Sequence, residues 1–258
     1  YNEYLPLDSL FPFSLYENPN NEKIKYDPQL ALKLLAEAGF KDRDSAGRLT
    51  RNGKPLALDL VYGTQGFDRY FTVYQEDLRK VGITLNIRYV TWETLIKLID
   101  DHAFELANIA YTGEPFPVIR MNYHSSLADQ KNNNNITGFK NKRADEIMDT
   151  YEKEFDLDAR VKLLQEFDGI VNAEHQYIFE WSVPYTRLLF WNKFGYPDGI
   201  ITRTGDYRDP PTLWWFDPER ARKLEAATKD PSITRYLDGK QIRKKVYVKN
   251  RILNLVVG

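Results

Sequence analysis

Apolar and polar residues in the first half of the chain switch repeatedly between strand and helix spacing. Large apolar residues occupy every second position over 56–62, with Ala57, Asp59 and Val61 between them, and apolar residues alternate with polar ones over 83–89. A third apolar run covers 104–111. Two stripes at helical spacing, 67–81 and 95–102, separate these runs. The order strand, helix, strand, helix, strand with short connections predicts a parallel sheet with right-handed crossovers.

Capping residues mark further elements before this core. A helix is predicted over about 27–38, because Asp27 suits the N-cap, Pro28 suits the first helical position and Gly39 can end the helix. Asn52-Gly53 predicts a tight hairpin turn.

The second half predicts a surface loop, helices and short strands. The polar run QKNNNNITGFKNK is expected on the surface, followed by helices near 142–154 and 157–173. Alternating Tyr177, Phe179 and Trp181 predict a strand, and another is expected over 186–191.

The last predicted helix follows a pair of tryptophans. Asp217 and Pro218 favour a helix start after Trp214 and Trp215, which are interpreted as packing residues.

Charge and composition exclude several classes of protein. The 258 residues carry a net charge of -1, so no nucleic-acid-binding field is implied. Basic residues cluster only near the end, where a solvated tail or an amphipathic edge strand is expected, at Lys240, Arg243, Lys244, Lys245, Lys249 and Arg251. Without cysteine there is no disulfide or thiolate site. Because the sequence starts at Tyr1 without a leader, a processed or truncated product is expected, and export is not excluded.

Candidate catalytic and metal-binding patterns are weak. Residues 42–53 imitate a calcium loop, but Ala46 and Gly53 stand where ligands are needed, so a hairpin turn is favoured. His102, His124 and His175 lack metal-ligand spacing, and His102 is expected to be partly buried. No catalytic residue, metal site or cofactor is predicted.

The polar elbow after the third strand is the first candidate for ligand binding. Tyr111, Glu114 and Arg120 follow that strand, and the loop 63–66 follows the first one. Open α/β sheets bind ligands beyond the carboxyl ends of their strands, where these loops are expected to converge. The alternative is a solvated Glu114–Arg120 ion pair beside a packed Tyr111.

An ordered series of segments resembles the extracellular solute-binding proteins of family five, the oligopeptide receptors of ABC importers. The resemblance covers most of residues 24–225 and rests on the segments YDPQLALKLLAEAGF, RNGKPLALDLVYGTQ, YQEDLRKVGITLNIRYVTWETLIKLIDDHAFELANIAYTG, ITGFKNKRADEIMD, FWNKFGYPDG and TLWWFDPERARKL. It implies an α/β fold: a class II periplasmic binding protein lobe with a βαβαβ parallel core, extra helices and antiparallel strands. It also implies a periplasmic or otherwise extracytoplasmic, non-catalytic protein that delivers a peptide or another small solute to ABC permease subunits.

The chain also departs from the family pattern. Members are roughly twice this length, so 26–204 is expected to be the C-terminal ligand-binding lobe. Residues 1–25 would then belong to the connection between lobes, and 205–258 would return toward an N-terminal lobe. Many peptide receptors hold the ligand's ammonium group with an Asp where this chain has Tyr111, so Glu114 or cation–π contact with Tyr111 would replace it.

The resemblance and the strand-end rule together define the expected site. The candidate ligand-binding residues are Tyr62, Gln65, Tyr111, Glu114, Arg120, Asn122 and Phe139. Two other functions stay open, a glycan-acting hydrolase with an aromatic cleft and a protein-interaction module. The sequence does not decide whether the solute is a peptide, a sugar, a metal chelate or an opine.

Overall fold

A computed structural model of the protein describes residues 4–111, 116–183, 190–199, 210–231, 242–248 and 252–257, the last two ranges as backbone. The chain divides into two compact units, one formed by 6–180 and the other by 1–5 with 181–258. The α-helices are α1 (Pro28–Glu37), α2 (Asp68–Val81), α3 (Trp92–Asp100), α4 (Arg120–Tyr123), α5 (Lys142–Tyr151), α6 (Leu157–Ala173) and α7 (Pro218–Lys229). The strands are β1 (Leu5–Pro6), β2 (Asp42–Arg43), β3 (Leu49–Arg51), β4 (Lys54–Pro55), β5 (Ala57–Tyr62), β6 (Thr84–Tyr89), β7 (Leu106–Asn108), β8 (Trp181–Ser182), β9 (Phe194–Gly195), β10 (Trp215–Phe216), β11 (Ile242–Val248) and β12 (Ile252–Val257).

The predicted parallel sheet is confirmed, with β5 between β6 and β7. The last residue of β5, Tyr62, is in register with Tyr89 of β6 and Asn108 of β7. The third strand is shorter than predicted, because β5 ends at Tyr62 and offers Ile109 no partner. All three strands therefore end at one edge of the sheet.

Each face of this sheet is covered by one of the two helices that connect its strands. The face toward α2 holds Leu58, Leu60, Tyr62, Leu85, Ile87 and Leu106 around Phe71. The opposite face packs Val61 and Ala107 against Leu95 and Ile99 of α3. Side chains alternate between faces along a strand, so Asn108 falls on the α2 face, two positions after Leu106.

The helix starts predicted at Asp27 and Asp217 are confirmed, and Thr91 and Asp156 cap their helices in the same way. Asp27, Thr91, Asp156 and Asp217 each accept a hydrogen bond from a backbone N–H in the first turn of the helix that follows. Gly82 ends α2 with a φ of 92°, a backbone conformation that residues with a side chain rarely adopt.

The region 42–55 is a small antiparallel sheet of β2, β3 and β4. Asn52 and Gly53 both have positive φ between β3 and β4, which confirms the hairpin. The Asp44 carboxylate accepts hydrogen bonds from the backbone N–H groups of Ala46 and Arg48, so the turn uses the oxygens that a calcium ion would need.

A second core lies between α5, α6 and the N-terminal segment. Its fully buried members are Phe139, Ala144, Ile147, Met148, Leu164, Phe167 and Val171, and Leu10 and Phe11 pack against it. The buried Asp168 of α6 accepts hydrogen bonds from the side chains of Ser9 and Asn21 and from the backbone N–H groups of Leu10 and Asn18. Residues 8–21, although irregular, are therefore tied to α6.

Two expectations in the second half of the chain need correction. Tyr177 and Phe179 are outside any described strand, and only Trp181 and Ser182 pair. The rings of Tyr177 and Phe179 stack on each other with an interplanar angle of 12°. The polar loop is not wholly on the surface, since Asn135 is completely buried. Its side-chain amide bonds to the backbone N–H and C=O of Phe139, which replaces the hydrogen bonds that water would make. Most of the predicted strand over 186–191 belongs to the range 184–189, which lies outside the described residues, so this prediction stays untested.

The other unit has a short antiparallel pair and a hairpin. Gly195 and Phe194 of β9 pair with Trp215 and Phe216 of β10. Trp214 packs against the rings of Phe190, Phe194 and Tyr196, which confirms its packing role. β11 and β12 form an antiparallel pair that includes part of the basic C-terminal region.

Candidate ligand-binding site

The carboxyl-end edge of the parallel sheet is the candidate site. Tyr62 and Asn108 end adjacent strands in register, so the segments after them leave the sheet side by side. Gln65, in the first of these segments, is exposed. Thr112–Pro115 of the second segment, with Glu114, lie outside the described residues.

A half-buried carboxylate lies at this edge. The Asn108 side-chain amide donates to Glu180, with Nδ2 at 3.2 Å from Oε2 and 3.4 Å from Oε1. The Glu180 backbone carbonyl accepts a hydrogen bond from the Leu7 N–H at 3.4 Å, which anchors the segment. Burial raises the pKa of Glu180, and the Asn108 hydrogen bond opposes this only in part.

Tyr74 of α2 belongs to the same cluster. Burial and the neighbouring Glu180 carboxylate both raise the pKa of the Tyr74 hydroxyl. The Glu180 carboxylate therefore has a hydrogen bond from neutral Asn108 and the neutral hydroxyl of Tyr74 in its neighbourhood. We call these three residues the Glu180 cluster.

A group of tyrosines lies on the segments next to β7. Burial raises the pKa of the Tyr111, Tyr123 and Tyr177 hydroxyls, and the proximity of Tyr177 raises those of the other two further. Tyr123 and Tyr177 have ring centroids 6.0 Å apart. The Tyr177 hydroxyl and Thr137 Oγ1 are buried without a well-aligned hydrogen-bond partner within the described ranges. Tyr111 remains 52% exposed, so it can still contact a ligand.

The other candidate residues occupy different environments. Tyr62 is only 4% exposed, with its ring between Phe71 and Tyr89. Phe139 is fully buried in the α5–α6 core, and Asn122 is partly exposed on α4. Contact of these residues with a ligand stays a prediction.

Arg120 is already engaged by carboxylates of another element. Its Nε donates to Glu152 at 2.7 Å, and its Nη2 bonds to Asp149. These contacts tie α4 to α5 and raise the pKa of the guanidinium. Any contact of Arg120 with a ligand would therefore be made in competition with two anions.

Other concave or ligating features lie elsewhere. A depression of about 450 Å³ is lined partly by Thr84 and Leu85 at the start of β6, at the edge opposite to the strand ends. Among the described residues no group of three His, Asp or Glu could hold a metal ion. His102, with a φ of 51°, follows α3 and is partly buried, as expected. None of the helices in the described part of the chain has the length and apolar character to cross a membrane.

Sequence reasoning missed Asn108 and Glu180. Asn108 interrupts the apolar residues of its strand on the face toward α2, and Glu180 stands within the aromatic run YIFEW. Polar residues inside apolar stretches were the available signal, since they must find a partner or serve a ligand. Their contact joins positions 72 residues apart, which no local pattern reveals.

The chain is similar to known solute-binding proteins. The chain is 29% identical over 174 residues to the oligopeptide-binding protein AppA of Bacillus subtilis, covering 66% of this chain and 30% of that protein. The structure of AppA in complex with a nonapeptide matches with a TM-score of 0.67 and 21% identity, over 83% of this chain and 43% of AppA. NikA from Brucella suis in complex with Fe(III)-EDTA matches with a TM-score of 0.59 and 25% identity, over 70% of this chain and 37% of NikA.

The fold is that of a periplasmic binding protein lobe, α/β with a parallel core and added antiparallel strands. The chain spans less than half the length of these relatives. The family model described as bacterial extracellular solute-binding proteins, family 5 Middle, matches residues 1–134. The chain therefore belongs to the bacterial extracellular solute-binding proteins of family 5.

Proposed function

We propose that the chain forms one wall of a non-catalytic, extracytoplasmic receptor that captures a peptide and delivers it to an ABC permease. The position of polar side chains carries this proposal. Glu180 and Asn108 meet where β7 ends, and half-exposed Tyr111 follows the same strand. This edge is where open α/β sheets receive ligands.

The similarity to AppA supports a peptide as the solute of this protein. AppA binds a nonapeptide in its structure and covers more of this chain than NikA does, at 83% against 70%. Peptides also match the chemistry of the edge, because they present amide groups and a cationic end to Gln65, Tyr111 and Glu180.

The proposed receptor mechanism requires a second lobe, because this chain is proposed to form one wall of the site. A ligand held against this edge gains further contacts when a second lobe closes over it by hinge motion. We propose that residues 1–25 and 205–258 connect the lobe to that second lobe. One wall alone encloses too little of a ligand for tight binding.

Calorimetric titration of the full-length polypeptide with a panel of short peptides tests this function. We expect saturable binding of at least one peptide without any turnover. Mass spectrometry of the small molecules that co-purify with the protein would identify its natural solute independently.

Two results would contradict the proposal. One is absence of peptide binding together with specific binding of another class of solute. The other is hydrolysis of a peptide or glycan that Glu114→Gln or Asp59→Asn abolishes, which would restore the enzyme alternative. A tight, saturable homodimer without solute binding would favour the interaction module.

A further inference from the structure

Glu180 is the charged member of its cluster, and the described residues around it supply neutral hydrogen-bonding groups. Asn108 is neutral, and Tyr74 carries a hydroxyl whose pKa the carboxylate raises. Within the described part of the chain no Lys, Arg or His forms an ion pair with Glu180. A carboxylate that is half-buried beside neutral groups loses hydration without gaining a counter-charge.

The position of the carboxylate is fixed from two sides. Asn108 is held in the sheet by the pairing of β7 with β5, and the Leu7 N–H holds the Glu180 backbone. The carboxylate is therefore preorganised at the strand-end edge, where a ligand nitrogen would meet it without reorganisation of the protein. The hydrogen bond from Asn108 uses only part of the accepting capacity of Glu180, since a carboxylate offers about four lone-pair sites.

We propose that Glu180 binds a cationic nitrogen of the ligand, with Asn108 as the positioning residue and Tyr74 beside it. The proposal rests on the peptide-binding function above and names the acceptor within the same site. A peptide offers such a nitrogen in two places, its α-ammonium group and a Lys side chain. Both would form a charge-assisted hydrogen bond with Glu180.

The negative charge at this edge comes from Glu180, on the segment that follows α6. Tyr111, half-exposed on the neighbouring segment, is then free to pack against the ligand by its ring.

The test compares Glu180→Gln with the wild type in the full-length polypeptide, using four peptides. These are tetra-alanine, N-acetyl-tetra-alanine, an N-acetylated tetrapeptide amide with one Lys, and the same peptide with norleucine in place of Lys. Glu180→Gln removes the charge but keeps an acceptor for Asn108. The matched control is Glu105→Gln, because Glu105 immediately precedes β7, at the end opposite to Asn108, and accepts a hydrogen bond from the Asp59 N–H at 2.7 Å.

We expect Glu180→Gln to weaken binding of a cation-bearing peptide by about 10- to 100-fold, the range for a hydrogen bond to a charged group. Binding of its uncharged analogue should change less than about 2-fold, and Glu105→Gln should leave all four peptides unaffected. Loss confined to tetra-alanine assigns the α-ammonium group as the cation. Loss confined to the Lys peptide assigns the side chain.

Other outcomes overturn the inference. If Glu180→Gln binds every peptide as the wild type does, or weakens all four equally, Glu180 is not a cation acceptor and the proposed function still stands. If the wild type binds none of the four peptides nor any of the wider panel, the proposed function fails and this inference fails with it. Thermal unfolding of both variants verifies that they are folded.

Discussion

The Ser9 hydroxyl donates a hydrogen bond to the Asp168 carboxylate at 2.8 Å, although the two residues are 159 positions apart. Asp168 is fully buried, and burial raises its pKa while its four hydrogen-bond donors oppose this. This single side chain thus fastens the irregular N-terminal segment to α6.

Replacing Asp168 should therefore destabilise the fold. In Asp168→Ala the four donors lose their acceptor, and we expect the free energy of unfolding to fall by about 2 to 4 kcal/mol. Asp158→Ala, an exposed carboxylate in the first turn of the same helix, should cost less than about 1 kcal/mol. Urea unfolding of both variants measures the difference, and equal losses would show that the buried network contributes nothing specific.

Gly82 and Gly47 provide a matched pair for the turn that follows α2. Both have positive φ, but a Cβ at Gly82 would lie 3.1 Å from the Leu49 backbone nitrogen, whereas one at Gly47 would meet nothing within 4 Å. We expect Gly47→Ala to cost about 1 kcal/mol for backbone strain alone. Gly82→Ala should cost about 1 to 3 kcal/mol more, because the Leu49 backbone donates to the Gly82 carbonyl at 2.7 Å and cannot easily move away. Thermal unfolding measures both, and similar losses would contradict the steric argument.

Glu180 should make the stability of the ligand-free protein depend on pH. Burial raises its folded-state pKa, so the protonated form is favoured by folding. The associated stability is fully present below the unfolded-state carboxyl pKa and is lost as pH rises through the raised folded-state pKa.

Glu180→Gln isolates this contribution. At neutral pH the variant should be more stable than the wild type by a fraction of a kcal/mol, because solvent screens a half-exposed group. The difference should disappear in acid. Unfolding measured across pH 3 to 8 tests the sign (roughly the range over which shifted carboxyls titrate), and a wild type more stable than the variant at neutral pH would refute it.

The affinity for a cationic ligand should also depend on pH, but it should rise with pH over the range in which the stability of the ligand-free protein falls. A cationic ligand needs ionised Glu180, so the affinity for tetra-alanine should fall as pH drops through the raised pKa of Glu180. N-acetyl-tetra-alanine should show no such dependence. Parallel titrations of the two peptides measure it, and identical pH profiles would count against the cation site.

Tyr111 and Arg120 separate ligand contact from packing. We expect Tyr111→Ala to weaken peptide binding by about 1 to 3 kcal/mol with little effect on folding, because the ring is half-exposed. Arg120→Ala is proposed to weaken binding by a similar amount if the guanidinium leaves Asp149 and Glu152 for the ligand. If Arg120 only ties α4 to α5, stability falls by up to about 1 kcal/mol and binding is unchanged. Calorimetry and urea unfolding of each variant distinguish these cases.

Local chemistry in the sequence determined the parallel core and the ends of its helices. Leu58, Leu60 and Tyr62 recur at every second position because they share the strand face that packs toward α2. Asp27, Thr91 and Asp156 each bond to the first turn of their own helix. Asn52-Gly53 likewise contains its own turn. The resemblance to the solute-binding family, confirmed by the family match, came from the order of these same segments.

The tertiary structure decided what local patterns cannot carry. The end of β7 depends on where β5 stops, and Arg120 pairs with Asp149 of α5 and with Glu152 just after that helix. Glu180 became the candidate acceptor only because the fold brings it to Asn108. Such contacts join residues far apart in the chain, so their energies depend on a three-dimensional arrangement that hydrophobic periodicity and capping do not specify.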